Sequence, residues 1–437
     1  MEGNKINIFW FRRDLRFSDN AGLYHALKDE NPVLCVFIFD TTILKKLEDK
    51  DDARVTFIYQ TVLELKQELE LNGSSLLIKH GEPLEVWRNI LAEYRVEKVF
   101  TNNDYEPAAL KRDGQVEQLL KENNIKFTTH KDQVIFEKGE VLKDNGQPYT
   151  VFTPYKKKWL AKLTDSYISS YPSEHNLGNL YKIRPFRTIR LTDIGFETST
   201  LDFPDKEYRQ ILGEYQKDRD FPFKRGTSRI GIHLRFGTLS VRKLVQDAVS
   251  YHSDTWLSEL IWREFYFSIL WHFPHTASQS FKKEYDNVEW RNNEDEFLAW
   301  CNGKTGYPIV DAGMRELNTT GFMHNRVRMI TASFLSKHLL IDWRWGERYF
   351  ARKLLDYELA SNIGGWQWAA GCGVDAAPYF RIFNPYEQQK KFDKDLVYVR
   401  KWIPEFDNPF LYPPPIVEHK FARERCLTIY KKALRFK

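Results

Sequence analysis

The sequence predicts two domains of different class: an α/β domain with a doubly wound parallel sheet, followed by an all-α domain. Three observations lead to this prediction. Short apolar runs alternate with amphipathic stretches of helical length over roughly the first 130 residues. Residues 137 to about 200 are irregular and rich in Pro, Gly, Ser and Lys, and helical patterns dominate from about residue 205. We therefore expect an α/β domain over residues 1–132, an interdomain linker over 133–204 and an all-α domain over 205–437.

The strands of the first domain are predicted from five short apolar or β-branched runs, INIFWF, VLCVFIF, SLLIKH, VEKVFTN and IKFTTH. Amphipathic segments such as ARVTFIYQTVLELKQELELN and PLEVWRNILAEYR lie between them and predict the crossover helices of a parallel sheet. The sequence at the first strand reads FWFRRDLRFSDN and contains no GxGxxG motif, which disfavours a dinucleotide-binding site there.

The helices of the second domain are predicted from LSVRKLVQDAVSY, TWLSELIWREFYFSILWHF, VRMITASFLSKHLL and GERYFARKLLDYELASN. Tryptophan is concentrated here, since ten of the 13 tryptophans lie between Trp256 and Trp402. This clustering favours a planar ligand or an aromatic-rich pocket, and a large helical core is the alternative.

The composition is that of a soluble globular protein, with 42% hydrophobic and 29% charged residues. A net charge of +5 permits a nucleic-acid partner but does not require one. The four cysteines show no CxxC spacing, so we expect reduced thiols in a cytoplasmic protein and no metal site. The N-terminus has no signal-peptide pattern and no apolar run approaches 18 residues, so no membrane association is expected.

The segment ELIWREFYF places Glu259, Trp262, Arg263 and Tyr266 on one helical face. A carboxylate, an indole and a guanidinium together are poor core material, because burying unpaired charges is expensive. They suit a pocket that stacks a base and hydrogen-bonds its edge. A tryptophan buried beside an ion pair is the alternative.

In GFMHNRVRMI, three side chains share a helical face, Asn325, Arg328 and Met329, while Arg326 points to a different side and is available to a phosphate. An asparagine can read a ring edge with both a donor and an acceptor, and methionine gives an adaptable apolar wall. An ordinary capped amphipathic helix is the alternative.

Two further segments are candidates for holding a cofactor. GTSRIG, residues 226–231, offers hydroxyls, backbone N–H groups and an arginine that can cradle a phosphate, although it is also an ordinary helix cap. DYELASNIGGWQW combines Asp356, Glu358 and Asn362 with glycines, and such groups could fix the ring nitrogens of a flat aromatic cofactor. Ser-His-Asp, HExxH and Walker A patterns are missing, so hydrolytic and phosphoryl-transfer chemistry have no obvious carrier.

Together, FWFRRDLR, GTSRI, ELIWREFY, KTGYPIVDAGMRELNTTGFMHNRVRMI and GGWQWAAGCGVDAAPYFRIFNP resemble the photolyase/cryptochrome family, in its motif order and over nearly the whole chain. The resemblance is closest to class I cyclobutane pyrimidine dimer photolyases. It implies a light-driven carbon–carbon lyase that splits pyrimidine dimers in UV-damaged DNA. It also implies FAD in the helical domain, an antenna pigment on the N-terminal domain and a monomer.

The resemblance assigns roles residue by residue. FAD contacts are implied for Tyr215, Thr227, Ser228, Arg229, Ile230, Gly231, Trp256, Arg263, Arg328, Asp356, Tyr357, Glu358 and Asn362, the last facing the flavin N5. The lesion pocket is implied to consist of Glu259, Trp262, Asn325, Met329 and Trp368. Further DNA contacts are implied for Arg219, Arg263, Arg326, Arg381 and Gln388. An electron is implied to pass to FAD from Trp290 through Trp343 and Trp366.

Three positions depart from the usual family pattern: Gly231 stands where Ser is common, Glu358 where Asp is common and Phe322 where Trp is frequent. Ala108 and Ala109 replace the Asn-Glu pair expected for a folate antenna, so the pigment is open between a folate, a deazaflavin and none.

Two alternative functions differ at specific residues. A (6-4) photolyase would carry two histidines in the helix that here holds Asn325 and Met329. A cryptochrome-like photoreceptor without repair activity would carry a long C-terminal extension and Asp or Cys at position 362. We therefore expect a dimer-splitting enzyme.

Overall fold

The computed structural model describes residues 5–434. The strands are β1 (Ile6–Phe11), β2 (Val33–Asp40), β3 (Leu76–Gly81), β4 (Val96–Asn102) and β5 (Lys126–His130). The α-helices are α1 (Ala21–Leu27), α2 (Thr41–Leu44), α3 (Ala53–Leu71), α4 (Pro83–Glu93), α5 (Pro107–Glu122), α6 (Phe152–Lys162), α7 (Asp165–Ile168), α8 (Tyr215–Asp218), α9 (Gly231–Phe236), α10 (Val241–Ser250), α11 (Asp254–His272), α12 (Glu294–Cys301), α13 (Pro308–Thr320), α14 (Asn325–Ser333), α15 (Trp343–Lys353), α16 (Leu359–Ala370), α17 (Pro385–Phe392), α18 (Val397–Trp402) and α19 (His419–Ala433). Short 3-10 helices cover Ser173–Asn179, Leu191–Ile194, Arg209–Ile211, Pro274–Ala277 and Lys283–Asn287.

All five predicted strands are confirmed, and they form one parallel sheet in the order β3-β2-β1-β4-β5. The central strand β1 is buried along its whole length, as a strand covered on both faces should be. The winding direction reverses between β1 and β4, the position where open α/β sheets bind ligands. Polar groups meet there, because the Asn102 amide at the end of β4 donates to Asp14 Oδ2 over 2.6 Å.

The chain divides into two compact units, each built from three segments. The first comprises residues up to Glu137, Leu163–Lys206 and Ile230–Asp247. The second comprises Lys138–Lys162, Glu207–Arg229 and residues from Ala248 onward. Local sequence patterns cannot reveal that a chain returns to an earlier unit, so the boundaries at 132 and 204 stay a prediction about domain organisation.

A buried ion-pair network, formed by Arg16, Asp19, Asp132 and Arg242, stabilises the first unit. The Asp132 carboxylate accepts hydrogen bonds from Arg16 Nη2, 2.8 Å from each oxygen, and from Arg242 Nη2 at 2.8 Å. Arg242 Nε also donates to Asp19 Oδ1 over 2.9 Å. All four residues are buried. The network therefore joins the segment after β1 to the segment after β5 and to α10.

The second unit is helical, as predicted, and no described residue after β5 belongs to one of the sheet strands. Its core is rich in indoles, and Trp300, Trp343 and Trp366 are all buried. No helix within residues 5–434 is both long and apolar enough to cross a bilayer. All four cysteines are free and buried.

The structure corrects the sequence prediction in two places within this unit. The segment expected to be an irregular linker contains an eleven-residue helix, α6, which buries Phe152, Tyr155 and Trp159. The helix expected over GERYFARKLLDYELASN is broken between Lys353 and Leu359, at the end of α15 and the start of α16. The break brings the Asp356 and Glu358 carboxylates to arginines of other helices, a tertiary effect that helical periodicity does not encode.

Candidate functional site

A cavity of about 430 Å³ lies in the second unit, where α11, α14 and α16 meet. It brings together three of the segments singled out in the sequence, ELIWREFYF, GFMHNRVRMI and DYELASNIGGWQW. Its walls are Arg219, Glu259, Trp262, Arg263, Tyr266, Asn325, Arg326, Arg328, Met329, Ala332, Phe350, Leu354, Asp356, Tyr357, Glu358, Ser361, Asn362, Gly365, Trp366 and Trp368.

Helix α11 lines the cavity with Glu259, Trp262, Arg263 and Tyr266, which confirms the predicted shared face. Burial raises the pKa of Glu259, although Arg219 opposes this by donating from Nη1 to Glu259 Oε1 over 2.6 Å. One helical turn further on, the guanidinium of Arg263 is also paired with a carboxylate, so both charges on this wall are compensated.

The Arg263 pair explains why Glu358 can stand where Asp is common. Arg263 Nε donates to Glu358 Oε2 over 3.0 Å, and both side chains are largely buried. The longer carboxylate therefore keeps the ion pair across the cavity wall. The FAD contact implied for Glu358 stays a prediction.

Helix α14 begins at the cavity, and its first turn is capped by a neutral imidazole. His324 Nδ1 accepts a hydrogen bond from the backbone N–H of Arg326 over 3.1 Å. Burial, together with the charges of Arg326 and Arg328, lowers the pKa of His324 to about 4. The ring is therefore neutral at physiological pH and can act as an acceptor.

The predicted α14 face of Asn325, Arg328 and Met329 lines the cavity. Arg328 Nη2 donates to both oxygens of Asp356, over 3.1 and 2.9 Å. The prediction that Arg326 points elsewhere is wrong, because Arg326 also lines the cavity and pairs with Asp220 over 2.7 Å. A side chain this long reaches around the helix toward a carboxylate that the sequence pattern could not locate.

Glycines let two aromatic rings approach α15 and α16. A Cβ on Gly364 would lie 2.2 Å from the Tyr266 ring, and a Cβ on Gly346 would lie 2.0 Å from the Trp366 ring. Gly365 differs, since a Cβ there would meet nothing within 4 Å and the residue lines the cavity. The glycines therefore serve close packing at two positions and leave bare backbone beside the cavity at the third.

Asn362 in α16 lines the cavity and is oriented by a neighbouring acid. Its Nδ2 donates to Glu347 Oε1 over 2.9 Å and to the Glu347 carbonyl over 3.1 Å. Burial raises the pKa of Glu347, although Asn362 opposes this by its hydrogen bond. The pair fixes the amide nitrogen on Glu347 and leaves the amide oxygen for another partner.

Several predicted site residues lie outside the lining of this cavity. Trp256 is buried and stacks on Tyr208, with ring centroids 5.4 Å apart. The Arg229 guanidinium lies 4.4 Å from the centre of the Phe322 ring, and Arg229 adopts a positive φ of 55°. The others outside the lining are Tyr215, Thr227, Ser228, Ile230, Gly231, Trp290, Trp343, Arg381 and Gln388, and Ile230 and Gly231 belong to the first unit. Their roles stay predictions.

Two of the three tryptophans expected to carry an electron have other aromatic residues as ring partners, and the role of all three stays a prediction. Trp366 lines the cavity, and its ring partners are Phe350 at 5.0 Å and Trp300 at 6.0 Å between centroids. Trp343 is buried, and Trp290 contacts Tyr430 at 6.0 Å. Trp300, the indole that directly contacts Trp366, was not predicted from the sequence.

Four residues of the cavity wall were not predicted from the sequence. One of them, Ser361, could have been found, because Ser361, Gly365 and Trp368 follow one another at helical spacings of four and three. The other three, Ala332, Phe350 and Leu354, are apolar residues without a distinguishing local pattern. Only tertiary packing identifies them as wall residues.

The cavity fits a flat heteroaromatic group such as the flavin of FAD. Its volume lies in the usual range for ligand sites. Gly365 leaves open space beside the helix backbone. Trp366 Nε1 is buried and has no hydrogen-bond partner within residues 5–434, so the wall holds an uncommitted donor. Asn362, Arg263 and Arg328 add polar groups for ring and phosphate atoms.

Comparisons with known proteins agree with this geometry. Residues 256–410 match a family described as the FAD binding domain of DNA photolyase, and residues 7–174 match one described as DNA photolyase. The deoxyribodipyrimidine photo-lyase of Escherichia coli is 38% identical over 98% of each chain. A class III photolyase structure from Agrobacterium tumefaciens has a TM-score of 0.88 and 32% identity, covering 99% of this chain and 98% of that one. A photolyase structure from Sulfolobus tokodaii, described with two FAD molecules, has a TM-score of 0.81 and 33% identity, covering 98% and 100%.

Proposed function

The chain belongs to the DNA photolyase family, and we infer from this and from the cavity that it repairs pyrimidine dimers in DNA with light. The observation that carries this function is the convergence of Trp262, Trp368, Glu259 and Asn325 on one cavity. Irradiating the purified protein with a duplex that contains one cyclobutane thymine dimer tests it. Intact thymines should appear under blue light and not in the dark, and a (6-4) lesion should persist under the same light.

FAD is the cofactor, and when bound it supplies the light-excited electron donor for dimer cleavage. We propose that Arg263, Arg328, Asp356 and Asn362 hold it at the cavity wall. The two arginines are neutralised by Glu358 and Asp356, so they can offer N–H groups without leaving an uncompensated buried charge. Asn362 would hold its amide oxygen toward the flavin, because Glu347 accepts from its nitrogen.

The lesion would stack against indoles and be hydrogen-bonded at its edge. Trp262 and Trp368 offer flat apolar surfaces, and stacking on an aromatic side chain contributes about 1–3 kcal/mol per base. Glu259 and Asn325 would bind the carbonyl and imide edges. Photolyases are among the enzymes that act on an extruded base, and a dimer already stacks poorly. Extrusion would therefore cost less for the dimer than for undamaged bases.

Asn362→Asp is expected to hinder the accumulation of fully reduced FAD under blue light with dithiothreitol as electron source. The new carboxyl would stand where the amide lies 2.9 Å from the Glu347 carboxylate. Two carboxyls at that distance share a proton, because both cannot ionise. A proton would thus be held beside the cofactor, where the carboxyl could deliver it and the amide could not, and this disfavours the fully reduced state. The absorption spectrum during illumination measures how much fully reduced FAD accumulates. Asn302→Asp, on the exposed end of α12, is the matched control. Unchanged photoreduction in Asn362→Asp would contradict the role of Asn362.

Arg326→Ala is expected to weaken binding to damaged and undamaged DNA alike and to reduce the slope of log affinity against log salt by about one. Arg326 lies at the cavity and pairs with Asp220, whose side chain is partly exposed. A phosphate can therefore compete with Asp220 for the Arg326 guanidinium. Fluorescence anisotropy at several salt concentrations measures the slope. Arg190→Ala, which removes an exposed and equally paired arginine in the first unit, is the control. Equal slopes for Arg326→Ala and the unsubstituted protein would place the strand elsewhere.

We also propose that the protein acts as a monomer in the cytoplasm. Four free, buried cysteines support a reducing compartment. Light scattering of the purified protein measures the oligomeric state. The second pigment stays open between a folate, a deazaflavin and none, and the related Sulfolobus tokodaii structure, described with two FAD molecules, adds a flavin. A further absorption band would identify a folate or a deazaflavin, and two FAD molecules released per chain would identify a second flavin.

A further inference from the structure

Trp262 has a ring partner that comes from the segment expected to be a linker. The Phe152 ring, at the start of α6, lies 3.7 Å from Trp262 between centroids, with 9° between the planes. The two rings therefore lie face to face, and one face of the indole is covered by Phe152. A base can stack only on the other face.

Phe152 is itself held in place by its surroundings. It is buried, with 8% of its surface exposed, and its ring meets Phe265 edge-on at 5.9 Å. Its backbone N–H donates to Asp375 Oδ2 over 3.2 Å, in the segment that follows α16. Aromatic pairs prefer offset or edge-on contacts to a close sandwich, so this geometry reflects how α6 is placed and not the preference of the pair alone.

Trp262 needs such a partner because it is only half-buried and stands at a cavity. An indole at an open wall can rotate about its side-chain bonds, and ordering it on binding costs free energy. A ring already fixed in its bound orientation avoids that cost. Covering one face also leaves a single surface for the ligand.

We propose that Phe152 is a positioning residue for lesion recognition, which sets the orientation of Trp262 through the face-to-face stack. This inference rests on the proposed function and adds to it. Phe152 contacts the indole and does not line the cavity, so its loss should affect binding of the extruded dimer and not binding of the phosphate backbone. The arginines at the cavity would still meet the strand.

Dark binding to two duplexes, identical except for one thymine dimer, tests the proposal by fluorescence anisotropy. Phe152→Leu should bind the dimer duplex about fivefold more weakly and the undamaged duplex as before. Phe152→Tyr keeps the ring and should restore dimer binding. Phe297→Leu is the matched control, because Phe297 also stacks on a tryptophan, Trp300, at 5.9 Å and 18° and does not line the cavity.

Three results would overturn the inference: unchanged dimer binding in Phe152→Leu, an equal loss for both duplexes, or no recovery in Phe152→Tyr. An equal loss with a lowered melting temperature would assign Phe152 a purely structural role. Failure of the proposed function is recognised separately, because the unsubstituted protein would then show no preference for the dimer duplex. Binding is measured without light, so the result does not depend on turnover.

Discussion

Asp132→Ala is expected to lower the free energy of unfolding of the first unit by about 3–5 kcal/mol. Its carboxylate holds Arg16 and Arg242, and it also accepts from the backbone N–H of Ala21 over 3.2 Å. Arg16 and Arg242 are only 7% and 3% exposed, so the substitution leaves two buried guanidinium groups without their shared counter-charge. Denaturant unfolding followed by circular dichroism measures the loss.

The control for this experiment is Asp193→Ala, which removes an ion pair of the same chemistry at the surface. Arg190 Nη2 lies 2.8 Å from Asp193 Oδ1, with 75% and 35% of the two side chains exposed. Exposed pairs contribute little, so this variant should lose much less stability than Asp132→Ala. Similar losses in both variants would show that burial of the network does not determine its contribution.

The pH dependence of the same network gives a second readout. Burial alone would raise the pKa of Asp132, but Arg16 and Arg242 outweigh it and lower this pKa from 3.8 to about 2. A carboxyl whose pKa is lowered by folding stabilises the protein at pH values above the pKa of the unfolded state. This stabilisation is lost as the pH falls through the pKa of the folded state. The stability difference between the unsubstituted protein and Asp132→Ala should therefore be full above about pH 4 and shrink toward pH 2.

The sequence predicts what local periodicity determines. The five strands, the parallel sheet and the face shared by Glu259, Trp262 and Arg263 all follow from spacing along single elements, and the structure confirms them. The helix α6 was missed because YKKKW is highly charged and its three buried aromatic residues are diluted by lysines. Periodicity is weak in such a segment, and packing decides its structure.

Partners across elements could not be predicted from the sequence, and they account for the errors at the site. The sequence identifies Arg326 as a cation but does not locate Asp220, with which it pairs. The sequence likewise contains Trp300 and Trp366 but does not show that they are in contact, because one sequence carries no information about contacts between distant residues. The family resemblance supplies residue roles, whereas these contacts appear only in the folded molecule.

Trp366→Phe is expected to slow the light-driven reduction of FAD roughly tenfold or more and to leave repair by chemically reduced protein intact. Trp366 is 2% exposed and lines the cavity, and the family resemblance predicts that it gives the electron to the bound cofactor. Phenylalanine conserves the aromatic packing but is much harder to oxidise. The rate at which the oxidised flavin bands disappear under blue light, with dithiothreitol as the final electron source, measures the effect.

The same measurement on Trp290→Phe and Trp300→Phe identifies how the electron reaches Trp366. The family resemblance predicts slower reduction in Trp290→Phe, through Trp343, whereas the ring contact between Trp300 and Trp366 at 6.0 Å makes Trp300 a second candidate donor. Trp402→Phe, a half-buried tryptophan outside the cavity wall, is the matched control and should reduce at the unsubstituted rate. Slow reduction in Trp300→Phe with a normal rate in Trp290→Phe would replace the predicted chain by one that enters through Trp300. A normal rate in Trp366→Phe itself would exclude both routes, because each of them delivers its electron to FAD through that indole.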